Sequence, residues 1–220
     1  MPKFTAPTFK ILAALAVALC LCGGPALARH HHHHHYYDSG DDTAYASGLA
    51  GDTLLIVRHA EKPDSGSGLA PAGEARAKAY ADYFAHFQLD GAPVKIGTII
   101  ASADSENSER PRLTVTPFSQ ASGIKIEQPF PDKEVKALAH WLAAGTPNRT
   151  ILIAWHHGKL PKLLRELGAD SEELVPGGVW PEDTYDWLIV LKYDSNGDLS
   201  EAKKIVEPTF AKQGANAGSN

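Results

Sequence analysis

Cysteine is nearly missing from this 220-residue chain: Cys20 and Cys22 are the only two, and both lie in one apolar stretch near the start. Beyond that stretch no disulfide can form, so stability must come from packing. Basic runs are also scarce. No block of Lys or Arg is longer than two residues, the formal net charge is -5 and the pI is near 6.1. This balance argues against a nucleic-acid surface and leaves any anion to be bound locally. Nor is there a long apolar run: "ILAALAVALCLC", from Ile11 to Cys22, falls short of the roughly 20 residues a membrane-spanning helix needs.

What the amino terminus does have is Lys3 and Lys10 ahead of that run and the small-residue exit "ALA" at Ala26 to Ala28. This layout predicts a secretory signal peptide over residues 1–28, cleaved before Arg29, and hence a secreted or periplasmic chain with no stable membrane insertion after cleavage. Leu19 and Leu21 precede the two cysteines where lipid attachment would call for a small residue. Residues 29–51 read as a His-rich disordered segment, with six consecutive histidines from His30 to His35. Such a tract suits metal binding, an expression tag or a solvated tail alike, and is kept apart from the fold. Residues 52–208 read as one domain and residues 209–220 as a disordered tail.

In that domain short apolar runs alternate with helical patterns. "TLLIV", "IGTIIAS", "IKIEQ", "TILIAW" and "DWLIVLKY" are the strand candidates, and "LSEAKKIVEP" is a last edge segment after the turn signal "NGD". Helices are expected at Pro71 to Phe87, Ser108 to Ser122, Pro131 to Ala144 and Leu160 to Leu167. The alternation predicts an α/β three-layer sandwich, a mostly parallel central sheet covered by helices on both faces. In such sheets ligands bind beyond the carboxyl ends of the strands. "RHAEK", "SADSENSERPR" and "HHGK" each follow a strand, so three charged loops should meet at one end.

A phosphoryl dianion is best gripped by planar, permanently charged donors, and Arg58 and Arg110 supply two. A histidine nitrogen can attack phosphorus and leave again, which makes His59 the candidate nucleophile. A second imidazole, His157, can stabilise the charged oxygens in the transition state. Arg112 competes with Arg110, because Thr116 follows it by four residues as Thr114 follows Arg110. His156 competes with His157, and strand alternation predicts that the two point to opposite faces.

These residues reach a known pattern. "VRHAEK", the "R-x-x-x-T-x-x-P" of Arg110, Thr114 and Pro117, and the "W-x-H-G-x-x-P" of Trp155, His157, Gly158 and Pro161 resemble the histidine phosphatase superfamily, also called phosphoglycerate mutase-like. The likeness runs from about Leu54 to Tyr193 and includes "GLAPAGEARA". It implies a phosphatase working through phosphohistidine on His59, a phosphate pocket of Arg58, His59, Arg110 and His157, a small phosphorylated substrate, and neither metal nor cofactor. Pro117 favours Arg110 within that pattern, and Gly158 favours His157. The departure is the general acid. The residue after His157 is Gly158, not an aspartate, so Glu61 stands as the proton-donor candidate with Asp104 and Glu106 beside it. Trp180 reads either as a loop closing over the pocket or as a core aromatic.

The rival readings are a metal-binding protein using His30 to His35, a non-catalytic binder of phosphorylated ligands on the same fold, and a metal hydrolase. For the last, "H-x-E" and "H-H" lack an established ligand spacing. Ser102 and Ser105 lack a nucleophile elbow, which removes a serine hydrolase.

Overall fold

The computed structural model describes residues 47–208. The predicted signal peptide, the histidine tract and the tail from residue 209 lie outside the described residues. Among the described residues no helix is long and apolar enough to cross a membrane.

Strand β1 (Thr53–Arg58) leads to α1 (Pro71–Ala85), then a small hairpin of β2 (Gln88–Leu89) and β3 (Ala92–Pro93), then β4 (Thr98–Ala101) and α2 (Arg110–Ser122). β5 (Ile126–Glu127), α3 (Val135–Ala143), β6 (Thr150–Trp155), α4 (Leu160–Glu166) and a short α5 (Ser171–Leu174) follow. A final pair, β7 (Trp187–Tyr193) and β8 (Leu199–Val206), completes a six-stranded sheet in the order β5-β4-β6-β1-β7-β8.

β1 is apolar along most of its length because both faces of the sheet are covered. Alternate side chains divide between two cores: Leu55 and Val57 pack with Tyr80 and Phe84 of α1 and with Val115 and Phe118 of α2. Leu54 and Ile56 pack with Leu138 and Leu142 of α3 and with Leu163 and Leu164 of α4. The three-layer arrangement is as expected. β5, β4, β6 and β1 run parallel, whereas β7 is antiparallel to β1 and β8 to β7. That reversal matters to the site. With Val57 opposite Leu188, the amino end of β7 lies beside the carboxyl end of β1, and the loop that precedes β7 arrives where the charged loops gather.

Folded structure begins before Asp52, so a domain boundary after Gly51 falls a turn too late. A 3-10 turn at Ser47–Leu49 buries Leu49 in the α3 core, and a Cβ on Gly48 would stand 1.3 Å from the Ala143 carbonyl oxygen. The third helix is shorter than predicted. Pro131 to Glu134 form a turn instead, in which the Asp132 carbonyl accepts from the Trp155 indole N–H at 2.9 Å.

Candidate active site

β1 ends in Arg58, and the next residue is His59; both are buried, at 0% and 2% exposure. The His59 Nδ1 lies 2.7 Å from the Ala60 carbonyl oxygen. A carbonyl can only accept, so Nδ1 carries the hydrogen and Nε2 keeps its lone pair. Burial, reinforced by the charges of Arg58 and Arg110, lowers the imidazole to about 3. His59 is therefore neutral across the physiological range.

Arg58 is fixed from the far end of the chain. Its Nη1 donates to the carbonyls of Pro181 (2.9 Å), Glu182 (2.7 Å) and Thr184 (3.0 Å), and Tyr185 stacks on the guanidinium with the ring centroid 3.8 Å away. The other edge of the group is different. Nε and Nη2 are buried and meet no hydrogen-bond partner among the described residues. Burial also holds the guanidinium below its ordinary range. Two parallel N–H donors on one edge match two oxygens of a single anion.

Arg110 opens α2, and its Nη atoms donate to the Gly66 and Asn107 carbonyls, both at 3.2 Å. Its Nε is buried without a partner. The two arginine–threonine pairs are held differently. Thr114 accepts from the Ala60 backbone N–H at 2.8 Å, so the helix carrying Arg110 is pinned to the residue after His59. Thr116 only bonds back to the Arg112 carbonyl, and Arg112 is held by Asp104 and Glu109, each at 2.7 Å.

The two late histidines both reach this place. Ring centroids of His156 and His157 lie 5.1 and 6.1 Å from that of His59. The expectation that they face opposite ways is corrected: β6 ends at Trp155, the pair sits in the following turn, and strand alternation no longer applies there. The His157 Nδ1 is buried and unpartnered. Burial, with the Arg58 charge, lowers that ring to about 4, while His156 is lowered mainly by burial.

Glu61 is placed otherwise than a proton donor requires. Both its oxygens accept from Arg76 of α1, at 2.9 to 3.2 Å, and Arg76 in turn reaches the buried Glu207 at 3.4 Å. A glycine makes this approach of helix to loop feasible. A Cβ on Gly73 would come within 2.5 Å of the Glu61 carbonyl oxygen. Asp104 is committed to Arg112 and Gln128, and Glu106 is exposed with no side-chain partner among the described residues. Trp180 is a core residue, 1% exposed, stacked on Trp187 at 5.3 Å and donating to the Thr184 carbonyl. It supports the loop over Arg58 from beneath. Sequence reasoning missed Tyr185, whose ring centroid lies 6.4 Å from that of His59. The direction of β7 brings it here, and apolar periodicity carries no direction.

The arrangement joins a neutral imidazole, with a free lone pair, to the uncommitted buried N–H donors at Arg58 Nε, Arg58 Nη2 and Arg110 Nε and to an unpartnered ring nitrogen of His157. Each buried unpartnered donor is costly unless a ligand supplies the acceptor. Chemically the set can hold a tetrahedral oxyanion against a nucleophilic nitrogen.

No family model and no curated protein matches the chain. Solved structures similar to it include SixA of Agrobacterium tumefaciens, described as a proposed phosphohistidine phosphatase, at 19% identity and TM-score 0.46, over 68% of this chain and 96% of that one. A protein histidine phosphatase SixA complexed with tungstate is 16% identical at TM-score 0.44, over 69% and 96% of the two chains. Phosphoglycerate mutase from Bacillus anthracis is 12% identical at TM-score 0.48, over 77% and 99%.

Proposed function

We propose that the chain is a member of the histidine phosphatase superfamily, an exported phosphatase that hydrolyses a phosphomonoester or related phosphorylated compound through a phosphohistidine on His59, without a metal. The observation that carries this reading is the unpartnered edge of Arg58 beside an imidazole whose Nδ1 hydrogen is already committed. The Nε and Nη2 of Arg58 take two phosphoryl oxygens, and Arg110 and His157 take the rest of the developing charge. Nε2 of His59 attacks phosphorus and the bond to the leaving oxygen breaks. Water then attacks the phosphohistidine, the P–N bond breaks with its electron pair returning to Nε2, and phosphate is released. A neutral His59 suits both halves, since a protonated ring has no lone pair to offer. The small-residue exit after an apolar run supports export.

The test is a rapid acid-free quench during turnover of a generic aryl phosphate. Acid-labile phosphate mapped to His59, absent in His59→Ala and formed equally in chelator, is the expected result. Turnover that stops in chelator would point to a metal hydrolase, and binding without turnover to a silent phospho-ligand receptor; either overturns the reading. Fractionation of cells producing the full chain tests export, with the processed protein expected outside the cytoplasm.

A further inference from the structure

The loop that carries the nucleophile is gripped by α1 through an ion pair that takes no part in the phosphate cup. We propose that Arg76 and Glu61 are a positioning pair, which fixes the tautomer of His59 by locking the peptide group between Ala60 and Glu61. This rests on the reading given under Proposed function, because the tautomer governs turnover only when His59 is the nucleophile.

The carbonyl that accepts the His59 Nδ1 hydrogen, at 2.7 Å, is half of that peptide group. Its orientation is set from both sides. Upstream, the Ala60 N–H donates to Thr114 Oγ1 at 2.8 Å. Downstream, the Glu61 carbonyl accepts from the Ala70 N–H at 2.9 Å, and the Glu61 carboxylate accepts from Arg76 Nε at 3.1 and 3.2 Å and from Nη2 at 2.9 Å. Helix α1 is seated directly on the same group: a Cβ on Gly73 would stand 2.9 Å from the Glu61 nitrogen. Arg76 is buried and anchored on its far side by Glu207 at 3.4 Å, and Tyr80 donates to that carboxyl at 2.8 Å. Desolvating so enclosed a pair offsets much of its attraction, so what it secures is geometry rather than stability.

Rotation of this peptide group takes the carbonyl away from the imidazole and brings the Glu61 N–H toward it. Nδ1 must then accept, the ring hydrogen moves to Nε2, and the lone pair meant for phosphorus is gone. The wrong tautomer disables a catalytic imidazole even where every group that touches substrate is in place. Arg76 and Glu61 thus act through Ala60, without contact to the substrate.

The experiment records long-range nitrogen–proton NMR spectra of the histidine rings in the full chain, with His59 assigned by its loss in His59→Ala, alongside kcat and KM on p-nitrophenyl phosphate. Wild type is expected to show a neutral His59 ring with its hydrogen on Nδ1. Arg76→Met and Glu61→Ala should each move a measurable share of that hydrogen to Nε2 and lower kcat by about 10- to 100-fold, with KM within about twofold, because the free donors of Arg58 and Arg110 are untouched. Glu61→Ala leaves no carboxylate behind and decides the matter if Arg76→Met fails to fold. Glu61→Gln keeps an oxygen for Arg76 and should retain the Nδ1 tautomer and most of kcat. Arg149→Met, which breaks a different arginine–carboxylate pair, to Asp52 at 2.6 Å, should leave the His59 ring as in wild type. A ring that keeps its hydrogen on Nδ1 in the folded variants overturns the proposal, as does the same tautomer change in Arg149→Met. A loss in Glu61→Gln as deep as in Glu61→Ala, with the Nδ1 tautomer intact, makes Glu61 a proton donor and overturns it too. Wild-type protein without turnover overturns the phosphatase reading, while the spectra still decide whether the pair sets the tautomer.

Discussion

Two arginine sites at opposite ends of the sheet use the same edge of the guanidinium in opposite ways. At the amino end Arg149 turns Nε and Nη2 onto Asp52 Oδ2, at 3.0 and 2.6 Å, while its backbone N–H takes Oδ1 at 2.7 Å. Asp52 is fully buried and its carboxylate is answered by the chain itself. At the carboxyl end Arg58 presents Nε and Nη2 to no partner among the described residues. One strand separates them, about 20 Å from Asp52 to Arg58 at the usual rise per residue. The comparison teaches how a structural charge differs from a functional one: the first is neutralised on folding, the second is held rigid and left incomplete.

The sharpest way to break this contrast is to exchange each arginine for methionine. Arg58→Met should lower kcat/KM on an aryl phosphate by about 10²–10³-fold, with stability within about 1 kcal/mol of wild type, since a buried group with unmatched donors is removed along with three carbonyl bonds. Arg149→Met should leave kcat/KM nearly intact and cost about 3–5 kcal/mol in urea unfolding, because it strands the Asp52 carboxylate in the interior. If both variants lose activity alike, the division into two kinds of site is wrong.

Glu207 offers a subtler test between those extremes. It accepts from Tyr80 O–H at 2.8 Å and from Arg76, with Glu61 and Asp186 adding negative charge nearby. Burial dominates and raises the carboxyl from its ordinary 4.5 to about 7. The native state thus binds a proton that the unfolded chain releases earlier. The resulting stability is full below pH 4.5 and is lost as pH rises through about 7. Glu207→Gln cannot ionise, so its stability relative to wild type should improve by up to about 3 kcal/mol between acid and mildly alkaline buffer. Urea midpoints measured across pH decide this, and a flat difference would contradict it.

The smallest effect concerns the ring on Arg58. Tyr185→Leu removes the stacking and should raise KM for an aryl phosphate by about tenfold or less, in keeping with the worth of a cation–π contact. Tyr185→Phe keeps the ring and should stay near wild type. A large loss in both would give the hydroxyl a role that the stacking does not explain.

Much of this contrast was legible in the sequence, and the rest was hidden for identifiable reasons. The strands at 53–58 and 150–155 announced themselves because both faces are buried and nearly every residue is apolar. The hairpin at Gln88–Leu89 and Ala92–Pro93 was not seen: two-residue strands have no period to detect. Arg58 and His59 stood out directly after an apolar run, and Arg110 and His157 through the short motifs that carry them. Pro117 favoured Arg110 over Arg112 within the motif, and what the motif could not show is that Thr114, not Thr116, touches the backbone of Ala60. Glu61 misled for the opposite reason. Its closeness to His59 in sequence carried no information about Arg76, fifteen residues on and one helix away. The loop from Pro181 to Tyr185 was the main omission, because strand direction, which brings it to Arg58, is a tertiary property.

That loop has a consequence for when the protein becomes competent. Arg58 belongs to the first of the described strands, yet the carbonyls that orient it belong to residues 123 to 126 positions later. A nascent chain still missing its last forty or so residues would carry every histidine of the pocket and yet have no oriented guanidinium. Synthesis and folding of the final hairpin therefore act as an arming step, and a chain truncated ahead of Pro181 should be catalytically silent from birth.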